Sequence, residues 1–203
     1  MIRLIVISLL MLLLSSCATR QVQTLANLPL PADQSANCCW QALQKLDITY
    51  GKQQFQLTGV LAQTRTVTLV LLDPFGRRLL SITKQGDSIS TYRSPELPAE
   101  LPEHFLLASS MMVWWPLADW QALLSSHNTR ASPNTGWKLD VTANSRVLSY
   151  RGQPMVSARY GANSTSLING MTTKTVANQE TISLQHQRQP MAITITTQSW
   201  EPL

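Results

Sequence analysis

Residue types that commonly perform catalysis or bind metals occur in this chain, but their spacing defines no site. The three histidines, His104, His127 and His186, lie far apart and match no metal-ligand spacing. The sequence contains no Gly-x-Ser-x-Gly nucleophile elbow and no phosphate-binding Gly-Lys-Ser/Thr loop. Asp119 and His127 are near enough in sequence to suggest a Ser-His-Asp set, but serine is so common here that such triples arise by chance. We therefore predict no enzyme activity, no metal site and no cofactor.

Cys17 is the residue whose neighbours do indicate chemistry. It follows a positive start at Arg3 and an almost unbroken apolar run over 4–14, which are the first two regions of a secretory signal peptide. As a helix this run is about 16 Å long, well short of the roughly 30 Å hydrocarbon core of a bilayer, so it suits export better than spanning. Residues 14–17, Leu-Ser-Ser-Cys, resemble the lipobox of bacterial lipoproteins, in which the chain is cut before the cysteine and the thiol is acylated.

The lipobox predicts that residues 1–16 are removed and that acyl chains on Cys17 hold the protein at a membrane. Several chains together give a permanent anchor, whereas a single chain binds only marginally. The residue after the cysteine is Ala18 rather than Asp, which by the enterobacterial sorting rule implies the outer membrane, with the domain in the periplasm. The alternative is an ordinary signal peptide, or an uncleaved anchor, in which the cysteine stands by chance.

The composition is that of one globular domain with few charges. Cleavage would remove 16 of the 203 residues and leave a chain long enough for a single domain with a sizeable core. Charged residues make up only 13%, and the bases behind the net charge of +5 are scattered along the chain. Nucleic-acid binding usually needs a basic patch, so we predict no nucleic-acid partner and instead a mild attraction to anionic lipid headgroups.

The start of the mature chain divides into a tether and the beginning of the domain. Segment 17–36 contains two prolines and no hydrophobic period, which predicts a lipidated tether, so that the domain is 37–203. Asn37 is a candidate N-cap for a helix through about Asp47, because apolar residues recur there at helical spacing. Cys38 and Cys39 fall in this segment, where we predict buried, small apolar side chains; a vicinal or intermolecular disulfide is the alternative.

The rest of the chain reads as strands, then helices, then strands. Alternating and β-branched segments predict strands over 54–61, 67–72, 79–83 and 88–92, with an Asp-Pro-Phe-Gly turn at 73–76. Pro102 begins a helix to about Met111, and Pro116 begins a second. Further strands are predicted over 137–142, 146–151, 154–160, 181–186 and 191–197, with a hairpin-type Asn-Gly at 169–170. This order predicts a curved antiparallel sheet with helices covering one face.

Large side chains cluster in the helical middle. Trp114, Trp115 and Trp120 lie beside Met111 and Met112. These residues either pack as a lid on the core of the sheet or line an apolar cavity for acyl chains, for which methionine is adaptable enough. The sequence leaves both interpretations open.

Several of these segments resemble the LolB family, outer-membrane receptors that take lipoproteins from a periplasmic carrier. Residues 59–62 resemble the family's early Gly-x-x-Ala strand, and Leu-Leu-Asp-Pro-Phe-Gly at 71–76 resembles its strand ending in Asn/Gly-Pro-Leu-Gly. Residues 79–86 resemble the strand and turn that follow, 106–124 its helices, and 193–200 its final strand. Between Gly59 and Asp73 this chain is shorter than LolB by roughly one hairpin, which predicts a smaller barrel.

A closer similarity is to an uncharacterised lipoprotein family of unknown function, whose members are often encoded with aryl polyene lipid synthesis. The run Asp-Pro-Phe-Gly-Arg-Arg-Leu-Leu at 73–80 and Trp-Pro-Leu at 115–117 carry this resemblance. Together the resemblances cover most of 38–200. They imply a mainly β fold with helices (α+β), an open antiparallel half-barrel of the LolA/LolB kind with a helical lid over its concave face.

The resemblance also implies a role without catalysis. The protein would bind an acylated molecule, such as a lipid, a lipoprotein or a polyene glycolipid, and assist its placement in the outer membrane. Membrane lipid is then a partner, with a periplasmic carrier protein or lipid-linked cargo as further candidates. The alternative is a structural or adaptor lipoprotein whose interior is solid and whose surface docks envelope assembly proteins. The candidate cargo-cavity residues are Leu61, Leu69, Leu80, Met111, Trp115 and Trp120.

Phe75 is the third residue of the Asp-Pro-Phe-Gly turn, where a short tip leaves little room to fold an aromatic ring back. We therefore predict that the ring projects, and that Arg77 and Arg78 meet lipid phosphates while the ring enters the acyl boundary. In LolB the apolar residue of the matching turn protrudes and is needed to deliver cargo into the membrane, and the resemblance puts Phe75 in that place. The alternative is that Phe75 curls onto the sheet edge and closes the core.

Overall fold

The structure is a computed structural model that describes residues 28–33, 38–97, 101–128, 136–161, 181–187 and 190–203. The predicted signal peptide, the lipidation site Cys17 and the predicted Asn-Gly turn at 169–170 lie outside these residues. Within them, no helix is both long enough and apolar enough to cross a bilayer.

Ten strands of the described residues form one sheet in which every neighbouring pair is antiparallel. The first half contains β1 (Trp40–Tyr50), β2 (Gln53–Gln63), β3 (Val67–Leu72), β4 (Arg78–Gln85) and β5 (Ser88–Arg93). The second half contains β6 (Trp137–Val141), β7 (Ser145–Tyr150), β8 (Gln153–Tyr160), β9 (Thr181–His186) and β10 (Met191–Pro202). The order is β5-β4-β3-β2-β1-β10-β9-β8-β7-β6, so the first and last strands pair at the centre.

The helix predicted through Asp47 is wrong, because this segment is strand β1. Its buried residues are every second one, from Trp40 to Ile48. Trp40, Leu43 and Leu46 recur at three-residue steps, which indicated a helix, whereas Trp40 and Leu46 share a strand face because an even number of positions separates them. β1 pairs along its whole length with β2 and with β10. The β2 partners follow directly after the turn at Gly51, but the β10 partners lie at the other end of the domain, where a local pattern cannot show them.

Cys38 and Cys39 are joined to each other by a disulfide. They lie just before β1 rather than in a helix, with Cys38 exposed and Cys39 partly exposed. The prediction of two buried, reduced side chains is therefore wrong, and the vicinal disulfide that we considered as the alternative is what the structure contains.

Two helices connect the halves of the sheet, α1 (Glu103–Trp114) and α2 (Leu117–Asn128). Pro102 and Pro116 precede them as predicted, and α1 continues three residues beyond Met111. From Phe105 to Trp114 every residue of α1 except Ser110 is buried. A helix that is apolar and buried on all sides must be surrounded by other elements.

The sheet supplies this surround by curving. Arg146 on β7 donates a hydrogen bond to the carbonyl of Met112, while Leu69 on β3 faces the same small cavity as Leu106. On a flat sheet β3 and β7 would lie about 29 Å apart, at six strand spacings of about 4.8 Å. A helix is only about 10–12 Å across, so the sheet bends around α1. The predicted mainly β fold, an open antiparallel sheet with two helices, is confirmed.

Part of the segment predicted as a tether packs on the domain. Leu28 is buried, and Trp115 Nε1 donates a hydrogen bond of 3.1 Å to the carbonyl of Ala32. The Asp33 carboxylate forms a buried ion pair with Lys84 and accepts a hydrogen bond from the backbone N–H of Gly86. Residues 28–33 therefore belong to the folded domain, although we predicted a tether through residue 36.

Breaking the buried Asp33–Lys84 pair is expected to destabilise the domain. In Asp33→Asn the Lys84 ammonium keeps the Gly86 carbonyl at 2.8 Å but loses its counter-charge, which for a buried pair costs about 3 kcal/mol. Urea unfolding followed by tryptophan emission measures this loss. Lys45→Met is the matched control, because Lys45 and Asp47 form an exposed pair at 3.3 Å and such pairs contribute less than about 1 kcal/mol. Equal losses in the two variants would contradict the structural role of the buried pair.

Candidate apolar site and exposed turn

A small apolar cavity lies between α1 and the inner face of the sheet. Its volume is about 20 Å³, which is room for roughly one water molecule. Aliphatic side chains of β1, β3, β9 and β10 form one wall, and Leu106, Ser109 and Ser110 of α1 form the other. No charged side chain lines it. The cavity is therefore an apolar seam between two separate elements rather than a hole within one.

Most of the six predicted cavity residues are buried elsewhere in the core. Leu69 lines the cavity, whereas Leu61, Leu80 and Met111 are fully buried without lining it. Trp115 packs edge-on against Trp40, with ring centroids 5.9 Å apart. The Nε1 of Trp120, on α2, donates a hydrogen bond of 3.2 Å to the carbonyl of Met111, on α1. The two tryptophans hold the helices in place rather than line the space.

Sequence analysis missed the lining residues of the two central strands, Leu46, Ile48, Ile193 and Ile195. On β10 the alternation of Ile193 and Ile195 was visible, but nothing in the sequence identified β1 as its partner. On β1 the same alternation, at Leu46 and Ile48, was hidden by the wrong helix prediction.

Buried polar groups hold the C-terminal end of α1 to the sheet. Arg146 Nη1 donates hydrogen bonds to the carbonyls of Met112 at 2.6 Å and of Trp115 at 2.8 Å, and Tyr160 donates to that of Val113 at 3.1 Å. Burial lowers the pKa of the Arg146 guanidinium and raises the pKa of Tyr160 to about 12, so the tyrosine hydroxyl stays a donor at neutral pH. A cation here also faces the negative end of the helix dipole.

The direction of α1 places the cavity at one particular end of the sheet. Phe105, near the helix start, packs against His186 with ring centroids 4.8 Å apart, and Trp114, at its end, lies 6.4 Å from Trp40. His186 ends β9 next to the β9–β10 connection, whereas Trp40 begins β1. In an antiparallel sheet alternate turns share an end, so the β9–β10 and β3–β4 turns lie together. The cavity and the Asp73–Arg77 turn are therefore at the same end of the domain.

That turn holds Phe75 away from the protein. The side chain of Asp73 accepts hydrogen bonds from the backbone N–H groups of Phe75 at 2.9 Å and Arg77 at 2.8 Å, and Gly76 takes a φ of +81°. Although burial raises the pKa of Asp73, these bonds and the Arg77 guanidinium lower it below its ordinary value. The Phe75 side chain is 87% exposed. It projects as predicted and does not curl onto the sheet edge.

The two arginines of the turn are already engaged. Arg77 forms ion pairs with Asp73 at 2.7 Å and with Glu96 at 3.0 Å. The guanidinium carbon of Arg78 lies 4.3 Å from the centre of the Tyr92 ring. The side chains of Arg78 and Tyr92 are both exposed. The turn therefore presents an aromatic ring with one guanidinium, that of Arg78, not neutralised by an ion pair in the described residues.

Metal chemistry finds no support in the part of the chain that the structure describes. No three side chains among its histidines, cysteines, aspartates and glutamates come together as a metal site would require. Asp119 is on α2, where partial burial raises its pKa. The side chain of His127 lies outside the described residues, so the structure does not test whether Asp119 and His127 lie near each other.

The architecture is thus that of a mainly β domain, an open sheet curved around a buried helix. A family model described as "Protein of unknown function (DUF3261)" matches residues 41–199, and the chain belongs to this family. This agrees with the predicted similarity to a family of unknown function. Among solved structures, a LolA superfamily protein from Nitrosomonas europaea is similar at a TM-score of 0.41 and 7% identity, over 85% of this chain and 90% of that one. No curated protein matches.

Replacing Phe75 by Glu is expected to change the free energy of unfolding by no more than about 0.5 kcal/mol, because the ring makes few contacts in the folded state. Phe105→Glu is the matched control, since it places a charge where the side chain is buried and is expected to cost several kcal/mol. Thermal unfolding followed by circular dichroism compares the two. A clear drop in Tm for Phe75→Glu would mean that the ring packs on the domain in solution.

Proposed function

We propose that this protein is a lipid-anchored carrier of the bacterial outer membrane. Its domain takes up the acyl chain of a lipid, a lipoprotein or a polyene glycolipid between α1 and the sheet and helps to place it in the membrane. The observation that carries the proposal is the apolar seam lined by α1 and by the central strands. Because the two walls belong to separate elements, movement of one helix away from the sheet widens the space between them. The cargo classes rest on the sequence resemblance alone.

Uptake requires α1 to move. The cavity of about 20 Å³ is far below the roughly 300–1,000 Å³ of ordinary ligand pockets. The carbonyl contacts of Arg146 and Tyr160 lie at the C-terminal end of α1. Near the N-terminal end, Glu103 forms a partly exposed ion pair with Arg93 at 2.5 Å. We therefore assign the pivot to the C-terminal end and the opening movement to the end that borders the cavity.

The exposed turn supplies the membrane side of this proposal. The Phe75 ring enters the acyl boundary while Arg78 meets lipid phosphates, and both lie at the end of the sheet that holds the cavity. A juxtaposed aromatic ring and guanidinium suit the interfacial layer of an anionic bilayer. Acyl chains on Cys17 keep the domain at that membrane, and a periplasmic carrier protein is the candidate donor of cargo.

A second candidate function is favoured by the small size of the cavity. A structural or adaptor lipoprotein would keep its interior closed, and α1 is already buried on nearly all sides. In that case envelope assembly proteins would dock on the outside, and no lipid would enter. Ligand uptake separates the two candidates.

A carrier is expected to copurify with lipid and to bind palmitic acid saturably. The detergent-extracted full chain is analysed by mass spectrometry for bound lipid and then titrated with palmitic acid while tryptophan emission is recorded. An acyl chain in the seam lies between the sheet and α1, the helix that carries Trp114, so its binding changes the surroundings of that indole and shifts the emission. Trp137→Phe, which removes an indole fluorophore on β6, is the control, and this variant should keep the emission shift. No copurified lipid and no saturable shift would reject the carrier in favour of the adaptor.

The anchor is tested separately from the cavity. Cys17→Ser is expected to abolish incorporation of an alkyne-bearing palmitate analogue, because serine lacks the thiol that the acylation steps require. Cys39→Ser serves as the control and should retain the label. Label that survives on Cys17→Ser would overturn the lipidation proposal and leave the cavity argument intact.

A further inference from the structure

Four polar side-chain groups at the interface between α1 and the sheet have no hydrogen-bond partner in the described part of the chain. This interface, which includes the cavity, is called the α1 seam below. They are Gln44 Nε2, Ser109 Oγ, Trp114 Nε1 and Thr197 Oγ1, and each of these residues is at most 2% exposed. Buried polar groups in native proteins are nearly always paired, so unpaired ones commonly indicate a bound water or ligand. Four in one seam call for a common explanation.

One of these groups lines the cavity, and two lie one inward position beyond its lining residues. Gln44 on β1 and Thr197 on β10 are direct partners across the two central strands. The next inward residues on those strands are Leu46 and Ile195, which line the cavity, and inward neighbours on a strand are about 7 Å apart. Ser109 lines the cavity from the α1 side. The amide and the two hydroxyls thus lie around the end of the cavity that is farther from the Phe75 turn.

The fourth group lies one step further in the same direction. Trp114 follows Ser109 on α1, and its ring lies 6.4 Å from that of Trp40, which precedes Gln44 on β1. The seam therefore changes character along its length. It is aliphatic next to the turn end, then carries hydroxyl and amide groups, and ends at tryptophan rings, one of which has an unpaired indole N–H.

All four groups are donors and none is charged. A neutral acceptor fits them best, because a buried carboxylate or phosphate would need a cation and no charged side chain lines the cavity. A carbonyl oxygen has two lone pairs and accepts two such bonds without carrying a charge. An ester or amide carbonyl next to a long alkyl chain matches both the donors and the aliphatic wall beside them.

We propose that Gln44, Thr197 and Ser109 form a subsite for the ester or amide carbonyl that joins an acyl chain to its headgroup. The alkyl chain lies against the wall that includes Leu46 and Ile195. This assignment rests on the proposed carrier function and adds the chemical class of the group that the protein recognises.

Two monoglycerides that differ at one position test the subsite. Monopalmitoylglycerol carries an ester carbonyl, whereas 1-O-hexadecylglycerol has a methylene in its place and the same headgroup and chain length. The full chain in detergent is incubated with both, and native mass spectrometry measures the ratio of bound ester to bound ether. One well-formed hydrogen bond predicts a preference of about tenfold for the ester.

Removing the donors should abolish this preference and leave the affinity for the ether unchanged. Thr197→Val and Gln44→Met conserve side-chain volume and eliminate one donor each. Thr196→Val and Gln41→Met are the matched controls, because these neighbours lie on the opposite face of the same strands, and they should keep the preference. Should Gln44→Met lower the Tm too far for the assay, Ser109→Ala replaces it as the partner of Thr197→Val.

The outcomes separate the subsite from the carrier function. Equal binding of ester and ether by the wild-type protein overturns the subsite and leaves uptake standing. A preference that persists in both variants overturns the assignment of these residues. If the wild-type protein shows no ester preference and Thr197→Val lowers the Tm, the hydroxyl binds water rather than a carbonyl, and the subsite is overturned. Binding of neither monoglyceride rejects the carrier function itself.

Discussion

The burial of α1 on nearly all sides is the constraint on which the rest of this structure depends. A helix with apolar residues around its circumference cannot rest on a flat sheet, because one face would stay in water. Strands of both halves contact the helix, and the halves join where β1 pairs with β10. The two strands that close the enclosure come from opposite ends of the domain. Formation of the interior is thereby coupled to the least local contact in the fold.

Polar groups divide this interior into a fixed part and an adaptable part. Arg146 and Tyr160 satisfy carbonyls at the end of α1, where an intrahelical partner is absent. These contacts offset the desolvation of the buried guanidinium and fix the helix end. Beside the cavity the facing side chains are mainly aliphatic, and dispersion between aliphatic groups has no directional requirement. Separation of α1 from the sheet is therefore less costly at the cavity than at Arg146.

Sequence patterns predicted the elements whose signal is local. The β3 strand and the turn at Asp73 are recognisable from alternation and from turn chemistry, and the exposure of Phe75 followed from the shortness of its tip. The β1 strand was missed because its pairing with β10, at the other end of the domain, is invisible in a local window, while its apolar residues also recur at three-residue spacing. Arg146 carried no sequence signal, since its acceptors are backbone carbonyls of a helix about 30 residues away. The sequence likewise cannot show that Gln44 and Thr197 are unpaired, because the two residues become neighbours only when β1 pairs with β10.

The order of groups along the seam sets the orientation in which an acylated cargo would lie. The donors at Gln44 and Thr197 are farther from the Phe75 turn than the aliphatic wall beside Ile48 and Ile193. A carbonyl held by those donors directs the end of the alkyl chain toward the turn. The chain would then leave tail-first at the end where Phe75 meets the bilayer. Apolar surface would pass from the protein interior into hydrocarbon with little exposure to water, which is the costliest part of moving a lipid.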